Sequence, residues 1–263
     1  MSAPGPPPSV ASPFAWLLNL DAELELARPG HVPSAKLHAQ LAAHAERAHV
    51  LLGPRDVLVD EARRPAEYTG RAWCPTPRAV ATLSAAGVEP EPHPSADVLR
   101  AANHRRFSAE LGAGPPGSEY VEDAAVLARK LQSSSDWLLK RALSFAGRGQ
   151  LYVRGSTSAA QASWIEASLR LDGIMVEPRV RVLAEFGLHG FIRKSGGVGL
   201  GRACVQMVSE RGVWQSSRLA GPSDLEPQEL RDLVGSAERV AEALGGLGYF
   251  GPFGIDAYRY ETL

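Results

Sequence analysis

Polar and apolar positions change period repeatedly along this chain, and glycine or proline marks each change. From Phe14, AWLLNLDAELEL reads as a strand whose solvent face carries Glu23 and Glu25. AKLHAQLAAHAERAHVLL reads as a helix and DVLVDE as a second strand. TPRAVATLSAAGV predicts a capped helix in which Thr76 is the N-cap, Pro77 fills the first helical position, Val80 and Leu83 share a face, and Gly87 closes it. Another helix is expected from Ser95 through VLRAANHRRFSAEL. GAGPPGSEY then interrupts the pattern with three glycines and two prolines in nine residues, which suggests a subdomain boundary.

Beyond that linker the pattern gives a helix in EDAAVLARKL, a strand in DWLLKRAL, a helix in SAAQASWIEASLRL and a strand in GIMVEPRV. Two antiparallel strands follow, VRVLAEFGLHGFI and RACVQMVSE, separated by SGGVGLG. The next helix places Leu230, Leu233, Ala237, Val240, Ala241 and Leu244 on one face, and GIDAYRY is the last strand. The fold class is therefore α/β followed by α+β. The first 13 residues hold five prolines and little that packs, so they read as a disordered tail.

Composition narrows the function. The chain has 263 residues, 28 basic and 29 acidic, for a net charge of -1, so it lacks the positive field of a general nucleic-acid binder. It has no uncharged apolar run approaching the roughly 18 residues of a membrane span. Cys74 and Cys204 are far apart and outside any CxxC spacing, which argues against a disulfide framework or a zinc site and for a cytoplasmic setting. His38, His44 and His49 are spaced by six and five residues and do not form a helical metal pair. Cys74 has no assignable histidine base. Oligomeric state is not fixed by the sequence.

Three segments carry candidate chemistry. In WLLKRALSFAGRGQLYV, Lys140 lies in an apolar strand and Gly147 and Gly149 lie in the following loop; backbone N–H groups and an ammonium there suit phosphates, and an ordinary hairpin fits the same pattern. Neither a Walker motif nor a dinucleotide fingerprint is present. In GIMVEPRVRVLAEFG, Glu177 precedes a proline and Glu185 follows eight residues later. A strand end there suits an adenine edge and Glu185 suits ribose hydroxyls, although both are also readable as solvated acids. Asp256 is the acid of an otherwise packed strand, a candidate magnesium ligand or an edge-strand charge.

Taken together and in order, NHRRF, LLKRALSFAGRG, IMVEPRV with EFG, and FGPFGIDAY resemble the ATP-grasp superfamily of carboxylate-amine ligases. The resemblance implies an ATP-grasp fold with a preceding α/β (preATP-grasp) domain. Its divisions would be a tail over 1–13, the front domain over 14–104, a small lobe over 105–180 and a large lobe over 181–263. It implies that ATP and an unidentified small carboxylate are the ligands and that the carboxylate is activated as an acyl phosphate and captured by an amine or similar nucleophile.

By resemblance, Arg105 or Arg106 and Lys140 supply positive charge, and Ser144, Ala146, Gly147, Arg148 and Gly149 hold phosphates. Glu177, Pro178, Arg179 and Val180 hold adenine, Glu185 holds ribose and Asp256 binds Mg. Family members carry a further Glu-x-Asn strand roughly a dozen residues after the first metal acid, and this sequence stops at Leu263. The C-terminal sheet is thus expected to be incomplete and turnover weak. Glu261 is no substitute, because strand alternation puts Asp256, Tyr258 and Tyr260 on one face and Glu261 on the other unless a bulge intervenes. A non-catalytic or truncated nucleotide-binding or interaction module is the alternative.

Overall fold

The computed structural model describes residues 12–48, 52–132, 136–144, 149–209 and 214–263. The chain divides into two compact units, Met1–Ala96 and Asp97–Leu263. Among the described residues no helix is long and apolar enough to cross a membrane.

The first unit is a parallel sheet of β1 (Phe14–Leu17), β2 (Val57–Leu58), β3 (Thr69–Ala72) and β4 (Glu89–Pro90), in the order β2-β1-β3-β4. Its helices are α1 (Ala22–Ala27), α2 (Ala35–Ala48) and α3 (Pro77–Ala85). Thr76 caps α3 and Pro77 opens it, as the sequence predicts. The helix lies close to β3 because residue 70 is glycine: a Cβ there would sit 3.3 Å from a Leu83 methyl and 3.1 Å from the Glu89 carbonyl.

The first predicted strand is corrected. It ends at Leu17, and Glu23 and Glu25 lie in α1. Glu25 is buried, accepting the Thr76 hydroxyl at 2.6 Å and the Arg78 backbone N–H at 2.8 Å. Arg78 also donates to buried Asp21 at 2.7 Å. Alternation with leucine misled here because a buried acid is tolerated wherever its lone pairs are satisfied. DVLVDE likewise gives only the two residues of β2 before a 3-10 turn. Burial and the nearby carboxylates of Glu23 and Glu25 push the Cys74 thiol up to about 12, so it stays protonated and unreactive at neutral pH.

The second unit begins with α4 (Ala96–Asn103) and α5 (Arg105–Glu110). The sequence predicts one helix here; the structure breaks it at His104, whose backbone is extended and whose Nδ1 accepts the Arg106 N–H as an N-cap. An antiparallel sheet follows: β5 (Glu119–Val121), β6 (Asp136–Arg141), β7 (Gln150–Arg154) and β8 (Ile174–Pro178), in the order β5-β8-β6-β7. Trp137, Leu139, Val153, Ile174 and Val176 form its core with α6 (Ala124–Gln132) and α7 (Ala159–Leu169), which contribute Leu127, Trp164, Ile165 and Leu169.

The second sheet is built on β9 (Val180–Ile192). On one side it pairs with β10 (Val198–Leu200) and β11 (Cys204–Val208), with β12 (Trp214–Leu219) beyond β11. On its other side lies β13 (Gly251–Thr262). The strands VGL and WQSSRL were not read from the sequence. α8 (Pro227–Gly246) packs Leu233 and Ala237 against Phe186 and Leu188, and Ala241 and Leu244 against Ile192. Of the predicted helix face, Leu230 is exposed.

Candidate functional site

The candidate residues lie on the two sheet faces turned away from these helices. Strand side chains alternate, so with Trp137, Leu139 and Val176 in the core, Lys140 and Glu177 emerge on the other face of the first sheet. Leu138 is the register partner of Glu177, which puts Lys140 on the diagonal. Its Nζ donates to both carboxylate oxygens of Glu177, at 2.8 and 2.7 Å, with the two side chains 16% and 9% exposed.

Arg105, the first residue of α5, comes to the same place. Its Nε donates to the Arg141 carbonyl at 3.0 Å and its Nη2 to Ser144 Oγ at 3.3 Å. Burial draws its pKa down, and the Glu177 carboxylate opposes that shift. Arg106 turns elsewhere: it pairs with Glu122 and lies over the Tyr120 ring, 5.2 Å from its centroid. Of the two arginines the sequence left open, Arg105 joins Lys140 and Glu177. Ala146, Gly147 and Arg148 lie outside the described residues, as does His49. The loop is closed at its described ends, where the Arg141 N–H donates to the Gly149 carbonyl at 2.9 Å.

On the second sheet Phe186, Leu188, Val205, Ile255 and Ala257 pack under α8, so Glu185, Gln206, Asp256 and Tyr258 face the other way. Gln206, Glu185 and Tyr258 are register neighbours across three strands; Cys204, Gly187 and Asp256 form the next row. Gln206 Nε2 donates to Asp256 Oδ1 at 2.6 Å. Burial and the Asp256 charge raise the pKa of Glu185. Burial raises that of Tyr258 too, followed by the charges of Glu177, Tyr260 and Glu185. The connection between the sheets is Pro178 to Val180, where the Arg179 N–H donates to the Asp136 carbonyl at 3.1 Å and Val180 opens β9 opposite Thr262.

A register shift does intervene near Glu261. Arg259 pairs with Ala184 and Tyr260 with Val182, which leaves Leu183 as the extra residue on β9. Tyr258 and Tyr260 nevertheless keep one face, with ring centroids 5.8 Å apart. Glu261 is engaged by Arg181, whose Nε donates to it at 3.1 Å. Among the described residues no three His, Cys, Asp or Glu side chains are grouped to hold a metal. Asp256 fits a weaker demand, since magnesium is commonly held by one or two carboxylates with phosphate oxygens and water completing its shell.

The fold has counterparts among solved structures. The D-alanyl-alanine synthetase A of Vibrio cholerae matches over 96% of this chain and 86% of its own, with a TM-score of 0.56 at 10% identity. The N5-carboxyaminoimidazole ribonucleotide synthetase of Thermus thermophilus matches over 95% and 70%, with a TM-score of 0.51 at 20% identity. The chain has the ATP-grasp fold. An ADP complex of N5-carboxyaminoimidazole ribonucleotide synthetase shares this ATP-grasp architecture over 80% of this chain at 13% identity, TM-score 0.51. The chain spans 56% of that protein's length, little more than half. At the level of sequence no family model and no curated protein matches.

Two residues of this candidate face escaped the sequence reading as site residues. Tyr258 counted only as a marker of the Asp256 face. Gln206 was the polar position of an alternating strand, RACVQMVSE, and that alternation is the only local signal it gives. Its place beside Asp256 depends on the pairing of β11 with β9.

Proposed function

We propose that this chain binds ATP between the two sheets of its second unit and uses it to activate a carboxylate as an acyl phosphate, which an amine or similar nucleophile captures. The observation that carries the reading is geometric: Lys140 is paired with Glu177 near the end of β8 with Arg105 close by, and the chain runs from Glu177 through Pro178–Val180 straight into β9, whose outer face carries Glu185 beside Asp256 and Gln206. Support comes also from the ATP-grasp fold and from a neighbour whose structure is an ADP complex.

In this reading Glu177 and the backbone of Pro178, Arg179 and Val180 hold adenine, and Glu185 holds ribose. Lys140 leaves Glu177 for the phosphates, joined by Arg105, by Ser144 and Gly149, and by Ala146, Gly147 and Arg148. Asp256 would hold magnesium, which supplies charge neutralisation on the phosphates. Among the described residues Arg105 and Lys140 are the cations assigned to the phosphates, and their work is electrostatic: positive charge in a partly water-excluded site offsets charge that accumulates during phosphoryl transfer.

The test is thermal stabilisation. ATP with magnesium at about 100 times its dissociation constant is expected to add about 2.7 kcal/mol to the wild type. Lys140→Met is expected to abolish the response, with circular dichroism verifying the fold. Equal responses of wild type and variant, or none from either, would remove the phosphate role. A phosphate-release screen over small carboxylates then addresses turnover; stabilisation with persistent silence across the panel favours a non-catalytic nucleotide-binding module.

A further inference from the structure

Gln206 stands on the candidate face with no role in the reading above, yet its side chain is placed with some specificity. It leaves β11, crosses the β9 backbone at Gly187, and ends in a 2.6 Å hydrogen bond from Nε2 to Oδ1 of Asp256 on β13. The crossing requires glycine beneath it. A Cβ at position 187 would lie 2.6 Å from Gln206 Nε2 and 3.6 Å from its Cδ, and 3.8 Å from Asp256 Oδ1. Gly187 itself has no left-handed backbone, so its use here is to give space rather than to relieve strain.

We infer that Gln206 is a positioning residue for Asp256: laid across Gly187, its amide fixes the orientation of the carboxylate so that the second oxygen is presented to a divalent cation. The inference rests on the nucleotide reading of this site and deepens it. An amide suits the task. It donates a hydrogen bond without adding charge, so the cation-binding capacity of Asp256 is kept, whereas lysine or arginine at 206 would compete with the metal. Glu185 is the direct register neighbour of Gln206 and stands in the row next to Asp256 on the same face, so two like charges share this surface. An exposed aspartate beside a like charge would otherwise swing away, and the amide holds it in place. Partners that orient a ligating group in this way commonly change metal affinity by about 10–100-fold when removed.

Two substitutions break the contact by independent routes. Gln206→Met keeps length and removes the donor. Gly187→Ala leaves Gln206 in the sequence and displaces its amide; the clash is with the far end of a flexible side chain, so the sheet itself can stand it. The readout is the gain in affinity for the β,γ-imido analogue of ATP, measured by calorimetry, when Mn²⁺ is added. The wild type is expected to bind the analogue more tightly with Mn²⁺. Each variant is expected to lose about 10-fold or more of that gain while binding the metal-free analogue as the wild type does.

Full Mn²⁺ gain in Gln206→Met overturns the inference, and so does full gain in Gly187→Ala, because the route over Gly187 is then not needed. A wild type that binds the analogue but gains nothing from Mn²⁺ overturns the inference and leaves the nucleotide reading standing. A wild type that binds no analogue overturns both.

Discussion

Arg105 and Arg106 are adjacent in sequence and carry the same charge, yet the fold gives them opposite surroundings. Arg105 is held against the Arg141 carbonyl and Ser144 beside Glu177, while Arg106 is occupied by Glu122 and Tyr120. Successive helix residues are rotated by about 100°, so only one of the pair can face the first sheet. Arg105→Ala is therefore expected to weaken ATP binding about tenfold or more, in line with the loss of a charge-assisted contact, and Arg106→Ala to leave it within about twofold. Calorimetry with ATP checks the contrast, and equal losses would count against the assignment. Lys140 has a second role in the free protein: it neutralises a nearly buried Glu177, so its removal is expected to destabilise the fold by up to about 3 kcal/mol even without nucleotide. That loss appears as a lower urea midpoint and is separable from the ligand response.

At the scale of elements, two helix starts deserve different tests because different chemistry caps them. Thr76 caps α3 and its buried hydroxyl also donates to Glu25. Thr76→Ala is expected to cost about 1–3 kcal/mol in chemical denaturation, since it removes a cap and takes a hydrogen bond from a buried carboxylate. His104 caps α5 through a ring nitrogen that must be unprotonated to accept the Arg106 N–H. Burial lowers its pKa; Asp172 and Glu122 oppose the shift, and Arg100 and Arg106 reinforce it. The Tyr120 ring packs edge-on against it. With the folded pKa below the unfolded value of about 6.5, the folded state binds fewer protons, so this contribution to stability is full above about pH 6.5 and is lost as pH falls through that value toward the folded pKa. The urea midpoint is expected to fall between pH 7.5 and pH 5.5. His104→Asn, which keeps a capping oxygen, is expected to lose the part of that slope due to this residue.

For the molecule as a whole, the division into Met1–Ala96 and Asp97–Leu263 gives a spatial test of the nucleotide reading. Every candidate residue from Arg105 to Asp256 belongs to the second unit. ATP with magnesium is expected to slow amide hydrogen exchange in β6, β8, β9 and β13, with little change in β1 and β3. Protection concentrated in the first unit would place the ligand elsewhere.

Elements whose causes are local can be read from the residues alone. The capped helix after Thr76, the long helix with Leu233, Ala237, Ala241 and Leu244 on one face, and the alternation of the long strands follow from backbone sterics and periodicity within a few residues. The order of LLKRALSFAGRG, IMVEPRV and FGPFGIDAY also carried the ATP-grasp fold. Which face of each strand meets a partner is settled by folding, since it depends on pairing between segments far apart in the chain. Lys140 meets Glu177 through the β6–β8 register, and Gln206 reaches Asp256 across 50 residues of sequence. Glu25 is buried because Thr76 and Arg78 arrive to satisfy it. A polar residue reads the same in sequence whether water or a distant side chain solvates it, and folding alone chooses between them.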